Sequence, residues 1–199
     1  MQQILVIHGG TTFAQYDEYV KSLSSKTITV DRLTYQPMWK ERLQDNLGYA
    51  YQVLLPSMPN KTNARYSEWK TYFKNLETIM TDDCILIGHS LGAVFLAKYL
   101  SENNIPYKIK ATILIAAPHS DETEEDLTDF KMTAVTDLFT KQAGKVTFFF
   151  GLDDPVIAQS EIKKYQIEVP SAEFKIIPAP DHFMREDFPE LTKLLTELK

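Results

Sequence analysis

Three side chains far apart in the chain could together perform nucleophilic catalysis: Ser90, His182 and one aspartate of the Asp153-Asp154 pair. A neutral serine is a poor nucleophile at physiological pH. It needs an imidazole to take its proton and a carboxylate to fix that imidazole's tautomer and stabilise its charged form. Ser90 lies in Gly88-His89-Ser90-Leu91-Gly92, which joins the unbroken apolar run Cys84-Ile85-Leu86-Ile87 to a helical pattern ending near Asn103. In such a strand-turn-helix the serine takes a strained conformation that lifts its hydroxyl above the sheet, and glycines flank it because a Cβ would strike backbone. The helix after Ser90 offers free N–H groups and the positive end of its dipole, so the Leu91 amide is the first candidate donor to an oxyanion.

The elements that must position these groups are legible as apolar runs. Ile4–Ile7, Tyr51–Leu55, Cys84–Ile87, Ala111–Ala117, Lys145–Gly151 and Phe174–Ile177 read as strands. Helical patterns separate them: Phe13 to about Ser25, Pro37 to Leu47, residues 65–80, the segment after Ser90, Ala158–Gln166 and Leu191–Leu198. A short β-like piece falls at Thr27–Val30. Strands alternating with helices predict a mostly parallel sheet of about six strands, covered by helices on both faces. Ligands of such sheets bind at the carboxyl ends of the strands, where Ser90, Asp153-Asp154 and His182 all fall.

A second oxyanion donor is expected on the loop after the strand beside the serine's strand. His8-Gly9-Gly10-Thr11-Thr12 follows Ile4–Ile7, and the Gly10 amide, or that of Thr11 beside it, is the candidate. His8, closing a strand before two glycines, reads as a brace for that loop. His89 should point into packing, and His119 precedes both aspartates and follows the wrong strand, so His182 is the preferred base. Spacing alone leaves Asp153 and Asp154 as rivals. Thr11, Phe13, Tyr35, Met58 and Phe183 stand nearest the active-site loops and are candidate pocket residues. The aromatic stripe over 65–80 reads as core. The acidic run 121–129 reads as a solvated helix start, with a lid over the pocket as the functional alternative.

The 199 residues suit one domain, with 13–37 and 118–143 as candidate insertions near the site. Hydrophobic residues at 44% and charged residues at 24% are globular composition, and a formal charge of -6 without a basic patch argues against nucleic acid or an anionic membrane as partner. The N-terminus lacks a signal-peptide pattern and no run approaches membrane-spanning length, so the expected location is cytoplasmic. Cys84, the single cysteine, reads as a small buried hydrophobe. No His/Cys/carboxylate cluster has metal-ligand spacing, so no metal or organic cofactor is expected.

Gly88-His89-Ser90-Leu91-Gly92, Asp153-Asp154-Pro155 and His182-Phe183, in that order, resemble the α/β-hydrolase superfamily, and within it the small lid-poor serine hydrolases similar to retinoblastoma-binding protein nine. The similarity runs from about Trp39 onward and includes Met58-Pro59. In that group the acid is the aspartate immediately before proline and the base is a histidine followed by phenylalanine, which the resemblance carries to Asp154 and His182. Two departures stand out: the segment from roughly Ala14 to Gln36 is extra, and Asp181 replaces a usual glycine.

The chemistry expected is therefore a serine hydrolase acting on carboxylic esters, with amides as a second class, through an acyl-enzyme on Ser90. His182 and Asp154 complete the triad, the Gly10 and Leu91 amides form the oxyanion hole, and the partner is a small molecule. Two alternatives share the residues: a silent scaffold that binds a ligand or protein, and an acyltransferase using the same triad. Spacing does not disclose the oligomeric state.

Overall fold

The computed structural model describes residues 1–120 and 126–198. Six strands form one sheet in the order β2-β1-β3-β4-β5-β6: β1 is Gln2–Ile7, β2 Tyr51–Leu54, β3 Cys84–His89, β4 Ile109–Ile115, β5 Lys145–Gly151 and β6 Glu173–Ile177. Every pairing is parallel. Each residue of β3 is buried, which requires cover on both faces of the sheet and explains why this strand reads as an apolar run instead of an alternation.

Among the described residues seven helices connect the strands, α1 Tyr16–Ser25, α2 Val30–Leu33, α3 Trp39–Leu47, α4 Tyr66–Glu77, α5 Leu91–Glu102, α6 Asp137–Gln142 and α7 Gln159–Glu168, and an eighth, α8 Pro189–Glu197, follows the last strand. The central one is α5, buried along nearly its whole length. Its Phe95 packs against Tyr66, Trp69 and Phe73 of α4 at ring separations of 5.4 to 5.7 Å. Burial of one such ring contributes about 1.5–3 kcal/mol, so this stripe anchors the helix that begins at the serine. It is core, as its spacing predicts.

Register brings the strand ends to a common rim. Ile7 lies beside Gly88, His89 beside Ile115, and Gly151 beside Ile177. The loops after β1, β3, β5 and β6 therefore emerge next to one another, in agreement with the rule for parallel sheets.

One local expectation needs correction. The piece predicted as β-like at Thr27–Val30 forms no strand; Thr29 caps α2, its hydroxyl accepting the Arg32 amide at 3.3 Å. The segment satisfies its backbone locally in that helical turn, where the Thr34 amide donates to the Val30 carbonyl at 2.9 Å. Among the described residues, the apolar positions of α1, Tyr16, Val20 and Leu23, are exposed. Within the acidic run, residues 121–125 lie outside the described residues, and its far end enters a 3-10 turn at Thr128–Phe130. There the Asp129 carboxylate accepts the Tyr66 amide at 3.0 Å and so caps α4. α6 has no counterpart among the elements expected from sequence.

Candidate active site

The turn between β3 and α5 holds Ser90 at φ 54° and ψ -123°, a backbone conformation that costs a non-glycine residue about 1–3 kcal/mol. The Ser90 amide donates to the Ile115 carbonyl at 2.9 Å, and its carbonyl takes the Ala93 amide at 2.8 Å. These bonds tie the strained residue to β4 on one side and to α5 on the other. A Cβ on Gly88 would lie 2.6 Å from the Ala93 Cα, and one on Gly92 would lie 2.6 Å from the His8 carbonyl oxygen. Only glycine lets strand, turn and helix approach this closely.

His182 stands on the loop after β6, also in the left-handed region at φ 52°. Its Nε2 is 2.9 Å from the Ser90 Oγ, and its Nδ1 is 2.9 Å from both carboxylate oxygens of Asp154. Because a carboxylate only accepts, Nδ1 carries the proton and Nε2 is left to accept from the serine hydroxyl. The Asp154 side chain is wholly buried, and its Oδ1 also takes the amides of Val156 at 2.8 Å and Ile157 at 3.2 Å. Asp153 turns the other way and accepts the Ala179 amide at 2.8 Å. The structure thus brings Ser90, His182 and Asp154 together and leaves Asp153 pinning the base of the histidine loop.

That loop is clamped further by Asp181. Its carboxylate takes the Phe183 amide at 3.1 Å and two guanidinium nitrogens of Arg185, at 2.7 and 3.1 Å. The hydrogen bonds from Arg185 hold Asp181 below its ordinary value, although partial burial opposes the shift. The i, i+4 spacing of Asp181 and Arg185 was a visible signal for this clamp.

On the loop after β1, the Thr11 amide donates to the Lys61 carbonyl at 2.8 Å. The Gly10 amide has no hydrogen-bond acceptor among the described residues. Of the two amides named from sequence, Gly10 is the one left open. His8 braces this loop, its Nε2 accepting the Met58 amide at 2.9 Å and its Nδ1–H facing the Gly9 carbonyl at 2.6 Å. Burial lowers its pKa, the Gly9 contact raises it, and the charges of Lys61 and Lys40 lower it again. Among the pocket candidates, Thr11 and Phe13 are half-buried and Tyr35 is exposed. Met58 and Phe183 are buried core side chains that present no open wall.

Sequence reasoning anticipated only packing for His89, but its ring also reaches the histidine loop. The ring is buried, and its Nε2–H donates to the His182 carbonyl at 2.9 Å, while its Nδ1 has no hydrogen-bond partner among the described residues. Burial, and then the charge of Lys40, push its pKa far below the usual imidazole range, so it acts as a neutral donor. Trp39 adds a second tie, its Nε1–H donating to the Phe183 carbonyl at 3.0 Å.

His119, the rival base, is held elsewhere. Its Nε2 meets the Glu168 carboxylate at 2.8 Å, and its amide and that of Ser120 donate to the buried Glu161 carboxylate at 2.6 and 2.7 Å. Lys164 completes this network at 2.7 Å. Burial alone would raise Glu161; the bonds from Lys164, Ser120 and His119 outweigh it and lower the pKa. A depressed folded pKa gives stability that is fully present above the unfolded carboxylate's 4.5 and is lost as pH falls through the folded value. Glu161→Ala is expected to cost about 3 kcal/mol in urea unfolding at pH 7, with the penalty shrinking as the pH is lowered below about 4.

A family model of serine hydrolases matches residues 35–186. The chain belongs to the serine hydrolase family. Solved structures agree on the fold of this serine hydrolase. The ydeN gene product of B. subtilis is 17% identical with a TM-score of 0.72, covering 100% of this chain and 98% of that one. The methylesterase MES16 from Arabidopsis is 11% identical, TM-score 0.58, over 99% and 98% of the two chains. A thioesterase domain from the curacin biosynthetic pathway is 12% identical, TM-score 0.61, over 98% and 90%. Among curated proteins none matches in sequence. At these identities the likeness establishes an α/β-hydrolase fold, and the family establishes a hydrolase. No helix among the described residues of this serine hydrolase is long and apolar enough to cross a membrane.

Proposed function

We propose that the chain hydrolyses carboxylic esters of small molecules, with amides as a second class, through an acyl-enzyme on Ser90. The observation that carries this is the continuous chain of hydrogen bonds from the Ser90 Oγ through His182 to Asp154, each link 2.9 Å. As Oγ attacks the substrate carbonyl, its proton passes to the His182 Nε2, and Asp154 stabilises the imidazolium. The tetrahedral oxyanion is held by the Leu91 amide at the start of α5 and by the Gly10 amide. Loss of one such donor typically costs about 100- to 1000-fold in turnover. Collapse expels the alcohol, which takes the proton from His182. A water then gives its proton to the same nitrogen as it attacks the acyl carbonyl, and the acid leaves with Ser90 restored.

The strained Gly88–Gly92 turn supports the role of nucleophile elbow, and the intact geometry counts against a silent scaffold. Nothing at the site favours transfer over hydrolysis. A panel of p-nitrophenyl esters graded by acyl length tests the proposal. It is expected to be turned over with free acid as the product, even with methanol added as an acceptor. No turnover of any ester by folded protein would contradict it, and a dominant methyl ester product would reassign the chemistry to transfer.

A further inference from the structure

Among the described residues, a cation packed on Trp39 has no carboxylate within ion-pair distance. Lys40, in the first turn of α3, is half-buried, and its Nζ stands 4.9 Å above the Trp39 ring. Its neighbour Glu41 instead uses a carboxylate oxygen to cap the helix, accepting the Met38 amide at 3.0 Å. Burial lowers the Lys40 pKa to about 8, and Glu41 offsets this only in part.

Lys40 overlies Trp39, whose Nε1–H holds the Phe183 carbonyl beside the base at 3.0 Å. Its charge depresses both His8 and His89. His8 opens the Gly9-Gly10 loop, where a Cβ on Gly9 would come within 3.1 Å of the Ser90 Cβ. His89 lies with its ring 5.4 Å from that of His182 and 6.1 Å from Trp39. Lys40 thus belongs, through Trp39 and His89, to the cluster of rings packed on the loop of the base. Lys61, exposed on the neighbouring loop, adds a second positive charge felt by His8.

A desolvated ammonium without a partner is costly, and an anion that reaches it regains that cost as a charge-assisted hydrogen bond. From this placement we propose that Lys40 forms a subsite for a carboxylate carried by the substrate, so that the preferred esters are anionic. One ammonium with no guanidinium fork beside it suits a singly charged carboxylate better than a phosphate dianion. This rests on the ester-hydrolase proposal above and narrows its substrate class. It also runs against the chain's overall charge of -6.

Two ester pairs test it: p-nitrophenyl hydrogen glutarate against p-nitrophenyl butyrate, and 4-acetoxybenzoate against its methyl ester. At least one pair is expected to show a kcat/KM ratio favouring the anion. In Lys40→Met that ratio should fall about 10- to 100-fold, as expected for a hydrogen bond to a charged group, whereas Lys40→Arg should retain most of it. A readout independent of turnover uses Ser90→Ala protein and calorimetric binding of glutarate, with inorganic phosphate as the comparison anion. Glutarate binding that disappears in Ser90→Ala/Lys40→Met supports the subsite even if no ester is cleaved, in which case only the ester-hydrolase proposal fails. Ratios unchanged in Lys40→Met together with glutarate binding that ignores Lys40, or binding of phosphate alone, would overturn it.

Discussion

Ser90→Ala and His182→Ala are each expected to lower ester turnover by roughly a million-fold, and Asp154→Asn by about ten thousand-fold, the losses seen when members of such a unit are removed singly. The losses should not add, because the three groups act on one proton. Ser90→Ala combined with His182→Ala should therefore be no worse than either alone. Asp153→Asn supplies the contrast. An asparagine carbonyl can still take the Ala179 amide that Asp153 accepts at 2.8 Å, so this variant should retain most of the rate. Steady-state kinetics on proteins with matching circular dichroism would check the set. A collapse in Asp153→Asn with Asp154→Asn spared would transfer the acid role to the neighbouring residue.

Gly92→Ala is expected to be the most damaging single-methyl change outside the charged groups. The new Cβ would lie 2.6 Å from the His8 carbonyl oxygen and close on the backbone of Ile7, neither of which can rotate aside. Overpacking of this kind costs up to about 3 kcal/mol, read as a shift in the urea midpoint. Activity should fall further than stability. Pushing α5 away from β1 moves Ser90 relative to His182, and a misplacement of about 1 Å costs on the order of 100-fold. Wild-type stability and rate in Gly92→Ala would mean that helix and strand do not approach as closely as described.

Much of this arrangement was legible because strands buried on both faces leave unbroken apolar runs. Cys84–Ile87 and Lys145–Gly151 could be assigned without any knowledge of their neighbours. Ser90 and His182 could be picked out for a related reason: Ser90 comes just after such a run, His182 lies on the loop after the edge strand Glu173–Ile177, and parallel strands end on one rim. Asp153 and Asp154 could not be separated by spacing. Adjacent residues point in different directions, and the choice depends on Asp154 folding back onto the Val156 and Ile157 amides. Long-range polar ties were also hidden. Nothing local to Trp39 or His89 announces that their ring nitrogens hold carbonyls of the 182–183 loop. In the 13–37 segment the helix itself was legible, but periodicity reports only that Tyr16, Val20 and Leu23 share a face, not whether the same chain covers it, and all three are exposed.

The account stands on an activated hydroxyl at residue 90, and covalent capture by a fluorophosphonate probe with peptide mass mapping tests that directly. The expected result is one adduct, on Ser90, absent from Ser90→Ala and lost or greatly slowed in His182→Ala. Folded protein that stays unlabelled, or labelling that persists in Ser90→Ala, would contradict it.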